Sequence, residues 1–270
     1  MNPELPYGAR IVATDAYTLR TLTIRDDAFI AVSGGRKRLH RPGAALEIGE
    51  GQGVAIARGT QWDVTNDPQD RRAYRALAVA FPAPLLREFA AEVPAGLPLV
   101  SSAQVLAVDE ELREALQRIL PPAGPRPLAE RLHRHRLTEV LLLLAQRGCR
   151  FAAAEELSWA ERVRRLVAQR PHADWDVPAL AAAFHASEST LRRRLDGSGV
   201  TLAALVREVR LETALGLLQT TGLPVGEVAL QCGWQSHSRF SAAFQERWGV
   251  PPSLVRANLK EDAQGLTESG

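Results

Sequence analysis

The chain has 270 residues, 46% of them hydrophobic and 24% charged, with 33 basic against 31 acidic side chains. That length suits about two ordinary domains, and that composition excludes disorder along the whole chain. No run approaches the ~18 consecutive apolar residues of a membrane span, and two cysteines, Cys149 and Cys232, are too few for a disulfide scaffold.

Residues 1–6 carry neither the basic nor the apolar stretch of a secretory leader, so a cytoplasmic protein is expected. Short alternating or β-branched segments then predict strands at Arg10–Thr14, Leu19–Arg25, Phe29–Ser33, Ala44–Ile48, Gly53–Ala57, Gln61–Thr65 and Tyr74–Phe81. Turn residues such as Gly34-Gly35, Pro42-Gly43 and Asn66-Asp67-Pro68 separate them. Short strands so closely spaced predict a small barrel or sandwich. Gly49-x-Gly51-x-Gly53 has the glycine spacing of a phosphate loop, but the next residues read as a strand rather than a helix, so a hairpin turn is expected.

Pro82 marks a change to helices, predicted at Pro84–Glu92, Ala107–Leu120 and, after the stiff break Pro121–Pro127, at Leu128–Arg147. In the last of these, Leu137, Val140, Leu141 and Leu144 belong to an apolar run that covers more than one helix face. The surplus surface needs a cover: a second subunit, which would make a homodimer, or the C-terminal domain. Residues 1–148 are read as a β-barrel and dimerisation domain, β-rich over 10–81 and helical over 84–147, with a boundary near Gly148–Ser158.

From Trp159 every segment reads as helix: Trp159–Gln169, Val177–Phe184, Glu188–Leu195, Leu202–Thr220, Val225–Gln231, His237–Trp248 and a short turn after Pro251. The overall fold class is therefore α+β in two domains, with an all-α bundle at 159–258 and a tail at 259–270 expected to be disordered. Between Trp159 and Lys260 there are 13 basic and 9 acidic residues, an excess that suits an anionic partner. The bundle repeats one arrangement. Val177–Phe184, a short connection, and a helix opening after Ser187 form the first copy. Val225–Gln231, a turn through Gly233, and a helix opening after Ser236 form the second. Ser187 and Ser236 stand where an N-cap hydroxyl accepts an orphan backbone N–H. Helix, short turn and capped helix is the helix-turn-helix layout, whose second helix enters the DNA major groove. The nineteen residues Leu202–Thr220 between the copies make a helix of about 28 Å, long enough to hold two reading helices about one DNA turn, ~34 Å, apart.

Ala179-Leu-Ala-Ala-Ala-Phe184, Ser187-x-x-Thr190-Leu191-x-Arg193-x-Leu195, Arg210-x-x-x-Ala214-x-x-Leu217-Leu218 and the stretch from Val225 through Cys232-Gly233-Trp234, Ser236, Ser238, Phe240 and Phe244 to Pro251-Pro252 resemble the DNA-binding domain of AraC-family transcription regulators. The β-rich N-terminal third is similar to the cupin-like domain of many members. The resemblance implies double-stranded DNA as partner, a small-molecule effector or dimerisation through the N-terminal domain, contact with RNA polymerase where a member is an activator, action at the bacterial nucleoid, no cofactor and no enzyme activity. Base and phosphate contacts are expected from Glu188, Ser189, Arg192, Arg193 and Arg194 in the first copy and from Ser236, His237, Ser238, Arg239 and Ala242 in the second. Arg193 suits guanine, Arg194 a phosphate, and Ala242 a thymine methyl. The second helix departs from the family's pattern: Phe240 is followed by Ser241-Ala242-Ala243, with no basic residue.

An enzyme is the competing class: a small-molecule-binding β-barrel, or an enzyme, with a helical assembly domain. His133 and His135 stand two apart on one helix, so their rings diverge and no metal site is expected. No nucleophile elbow or phosphate-binding motif occurs. Cys232 reads as core. Cys149 lies between Arg147 and Arg150, which could depress its pKa, although an ordinary thiol fits as well.

Overall fold

The computed structural model describes residues 8–92, 96–120, 129–153, 158–197 and 199–256. The Pro121–Pro127 break and the 259–270 tail lie outside them. The chain divides into two compact units, with the change-over between Glu155 and Glu156.

The first unit has two antiparallel sheets. One contains β1 (Gly8–Ala13), β8 (Tyr74–Phe81), β3 (Asp27–Gly34), β6 (Gln52–Ile56) and β9 (Ala103–Ala107), in that order. The other contains β2 (Tyr17–Thr23), β7 (Gln61–Asp67), β4 (Arg36–Arg41) and β5 (Ala44–Ile48). The sheets are not hydrogen-bonded into a closed barrel. The two sheets face each other across a core, where the Lys37 ammonium of β4 lies 5.5 Å from the ring centre of Tyr74 in β8. Period-two alternation explains the inner faces: β7 turns Trp62, Val64 and Asn66 inward, and β4 turns Lys37 and Leu39 inward.

The Gly49–Gly53 segment is a tight turn leading into a strand. It is not the expected hairpin, because β5 and β6 belong to different sheets and the turn carries the chain from one to the other. Gly53 has a packing reason to lack a side chain: a Cβ there would lie 2.3 Å from the Phe29 ring of the neighbouring strand.

The other face of the five-stranded sheet carries Phe29, Ala31, Ala55 and Val79 and packs with α1 (Ala83–Glu92), α2 (Glu110–Ile119) and α3 (Ala129–Gln146). The Asp109 carboxylate caps α2, accepting from the Leu112 amide at 3.0 Å. This core corrects the expected dimer surface. Leu137, Val140, Leu141 and Leu144 are each no more than 2% exposed and belong to the chain's own core. The run covers more than one face because α3 is wrapped by α1, α2 and the sheet together. Of the α3 leucines, Leu132 and Leu142 are exposed, each 49%.

The second unit is helical: α4 (Trp159–Gln169), α5 (Val177–Ala183), α6 (Glu188–Asp196), α7 (Leu202–Thr220), α8 (Val225–Gln231), α9 (His237–Trp248) and α10 (Pro252–Val255). Val163, Val167, Leu180, Leu191, Leu195, Leu205 and Val209 form the core of its first half. Asp176 caps α5 and Thr201 caps α7, each accepting a backbone N–H from three residues on.

Candidate nucleic-acid interface

In the first copy, α5 ends at Phe184 and the chain turns through His185, a non-glycine residue at φ +50. The Ala186 amide closes this turn on the Ala181 carbonyl at 2.9 Å. Ser187 then caps α6, its hydroxyl accepting from the Thr190 amide at 3.2 Å and bonding the Thr190 hydroxyl at 2.8 Å. Leu191 and Leu195 are buried beneath α6. That anchoring leaves Glu188, Ser189, Arg192, Arg193 and Arg194 on the exposed side.

The three consecutive arginines have different surroundings. Arg192 pairs with Glu188 one turn back at 3.4 Å. Arg194 holds its guanidinium 4.2 Å from the centre of the Trp159 ring, which meets Phe184 edge-on at 5.3 Å. Arg193 has no hydrogen-bond or ion-pair partner among the described residues. Ser189, Arg192 and Arg193 are spaced i, i+3, i+4 and so share one helix face.

In the second copy, α8 ends at the buried Cys232 and the chain reverses through Gly233 at φ +79. Ser236 caps α9, accepting from the Arg239 amide at 3.3 Å. Phe240 and Phe244 are fully buried, with Trp234 edge-on to Phe240 at 5.9 Å. His237, Ser238, Arg239 and Ala242 are exposed and Ser236 is partly exposed. Further along α9 the basic and acidic side chains are occupied by α7: Arg247 pairs with Glu208 at 2.7 Å and Glu246 with Arg207 at 3.0 Å. The reading turn of α9 therefore carries one fixed positive charge, Arg239, against three in α6.

One structural residue of this unit escaped the sequence reading. Arg210, in the middle of α7, donates through Nε to the Pro171 carbonyl at 2.8 Å and through Nη2 to the Ala173 carbonyl at 3.1 Å. The same guanidinium lies against Gly233. One side chain on the connecting helix thus ties the loop before the first copy to the turn of the second. The regular matching of Arg210 to the family's linker helix was the only signal available.

The two cysteines lie in the core. Both are buried, and burial pushes each thiol up to about 12. The arginines flanking Cys149 do not depress it, and Arg147 is engaged with Asp109 and Glu111.

Comparisons with known proteins agree with this geometry. The family described as "Helix-turn-helix domain" matches residues 180–258, and "ExsA N-terminal regulatory domain" matches residues 27–153. The ornithine utilization regulator of Pseudomonas aeruginosa is 40% identical over 95 residues, covering 35% of this chain and 28% of its own. The urease operon transcriptional activator of Escherichia coli is 29% identical over 101 residues, covering 37% of this chain and 34% of its own. The chain thus spans about a third of the length of these curated relatives. A structure of ToxT from Vibrio cholerae with bound unsaturated fatty acid superposes with a TM-score of 0.59 at 14% identity, covering 93% of this chain and 95% of its own; at that identity the likeness concerns the fold.

Fold and surface together define a β-rich domain followed by a double helix-turn-helix domain. With both parts matched by their families, the chain belongs to the AraC family.

Proposed function

We propose that this protein is a transcription regulator that binds specific double-stranded DNA with α6 and α9 in two successive major grooves, and that its N-terminal domain adjusts that binding in response to a small effector. The observation that carries the reading is the repeated one: two capped helices, each anchored from below by buried apolar side chains, with polar first turns facing solvent. Capping fixes where each helix starts, and burial fixes its rotation, so the side chains that reach base edges are preset before DNA arrives. In this reading Arg193 grips guanine, and Ser189 and Arg192 assist on the same face. Glu188 at the helix start accepts from a cytosine amino group, while Arg194 stays on Trp159 or swings to a phosphate. The α9 turn contributes Ser236, His237, Ser238 and Arg239, with Ala242 against a thymine methyl. It reads more by shape than by charge. The protein works in the cytoplasm on nucleoid DNA, and as an activator it would meet RNA polymerase there. A bound small molecule has a precedent in ToxT, solved with an unsaturated fatty acid.

Titration of the full chain into labelled duplexes at several salt concentrations tests the proposal. Affinity for a selected site should exceed that for random duplex by roughly 10³ or more, and log affinity should fall linearly with log salt. Equal affinity for all sequences, or no salt slope, would refute it.

A further inference from the structure

The helix-covered face of the five-stranded sheet is apolar where α1, α2 and α3 lie on it, but its end beside β1 is built otherwise. In the β1–β8 pairing Arg10 stands opposite Leu77 and Val12 opposite Arg75. Opposed residues share a face, as do residues two apart in a strand, so two arginines and two apolar side chains alternate on this one surface. They line a cavity of about 760 Å³, closed on the helix side by Leu116 and Arg113 of α2 and joined by Arg72 from the loop before β8. That volume lies in the range of small-molecule sites. Val12, Leu77, Val108 and Leu116 give the cavity an apolar floor, and four arginines stand on its walls.

The charges there are unbalanced. Arg113 is engaged by Glu110, one turn before it on α2. The acidic side chain on the wall, Glu50, is held by Arg71 at 2.9 Å. Arg10 and Arg72 have no hydrogen-bond or ion-pair partner among the described residues. A guanidinium presents a rigid fork that fits phosphate or carboxylate oxygens two at a time.

We infer that this cavity binds a small organic dianion, of the phosphomonoester kind, whose apolar body rests on Val12, Leu77 and Leu116 while Arg10 and Arg72 hold its charged group. A phosphomonoester carries about −1.5 to −2 charges at neutral pH, which suits two unengaged guanidiniums. The inference deepens the effector part of the proposed function and rests on it only for its regulatory meaning, because binding is measured without DNA.

The test is calorimetric titration of the full chain with hexyl phosphate, with inorganic phosphate and hexanol as controls, on the wild type and on the R10A/R72A double variant. Both arginines are exposed, and an unchanged melting temperature checks that the variant is folded. Hexyl phosphate should bind tighter than either control, and the double variant should lose about tenfold to a hundredfold. An R10K/R72K variant should fall between, since it keeps charge without the fork. No binding, equal binding of all three probes, or binding indifferent to R10A/R72A would overturn the site. So would weakened DNA affinity in R10A/R72A with hexyl phosphate binding intact, which would make the patch a DNA contact. Hexyl phosphate binding that leaves DNA affinity unchanged supports the site and counts against the effector reading alone.

Discussion

Arg210 and Gly233 occupy one space. A Cβ at position 233 would lie 2.9 Å from Arg210 Cζ and 2.9 Å from the Pro171 carbonyl oxygen to which Arg210 donates. The turn of the second helix-turn-helix can therefore close only over a residue without a side chain, and Gly233 also holds a left-handed φ of +79. For Gly233→Ala the left-handed backbone costs roughly 1–2 kcal/mol, and the collision with backbone adds to it. A total loss of about 2–4 kcal/mol is expected in urea unfolding. Arg210→Ala should cost about 1.5–3 kcal/mol through its two carbonyl partners. Because the residues touch, the double variant should lose less than the sum of the singles.

Arg193→Ala should leave folding unchanged, since the side chain is exposed and unengaged among the described residues. Binding to a selected site should weaken by about 1–3 kcal/mol, with discrimination relaxed at a single base pair. Titration against duplexes mutated one pair at a time checks this. Uniform weakening across them would assign Arg193 to phosphate.

Lys37 predicts a pH dependence that belongs to the N-terminal domain. It is 2% exposed, donates to Asn66 Oδ1 at 2.6 Å, and has its pKa lowered by burial from 10.5 to about 7. Between those values the unfolded chain binds the proton that the folded chain releases, so stability rises with pH from about 7 to 10.5 and is flat below 7. The full span is about 5 kcal/mol. Lys37→Met should abolish this slope. At pH 6 it should stabilise by roughly 2 kcal/mol, net of the 1–3 kcal/mol for an orphaned Asn66 acceptor, and above pH 10 it should destabilise. Thermal melts across that range read the change of sign.

Arg58→Ala should unmask a buried carboxylate. Asp27 is 2% exposed and accepts from the Arg58 amide at 3.1 Å and its guanidinium at 2.7 Å. Burial holds its pKa above the usual carboxylate value, with Arg58 pulling the other way. Removing the partner should cost about 3–5 kcal/mol at pH 7. The pKa then rises further, so the loss should shrink as pH falls through the new folded value. A loss independent of pH would place the cost in packing.

The helices of the second unit were legible because Ser187, Gly233 and Ser236 punctuate periodic apolar patterns, and the two serine caps and the glycine turn appear in the structure. β4 was not legible, because Arg36-Lys-Arg-Leu-His-Arg41 hides its alternation behind a lysine that points inward. Burial of Lys37 depends on Asn66, twenty-nine residues away. β9 was not legible: the predicted helix Ala107–Leu120 begins at its last residue, and it is pairing with β6 that makes Ala103–Ala107 a strand, while the helix itself starts at Glu110. The leucines of α3 show an excess of apolar surface, but a sequence cannot say which neighbours cover it. Arg10 and Arg75 look like ordinary solvent-facing residues until the β1–β8 register puts them on one face.

The central claim is that one chain reads two neighbouring grooves, and selection of bound duplexes from a random pool by the full-length protein tests it most directly. The recovered sites should contain two preferred blocks whose centres lie about 10–10.5 base pairs apart. The block read by α6 should be the sharper, because three arginines stand there against one in the reading turn of α9. A single block, or two blocks at no fixed spacing, would contradict the account.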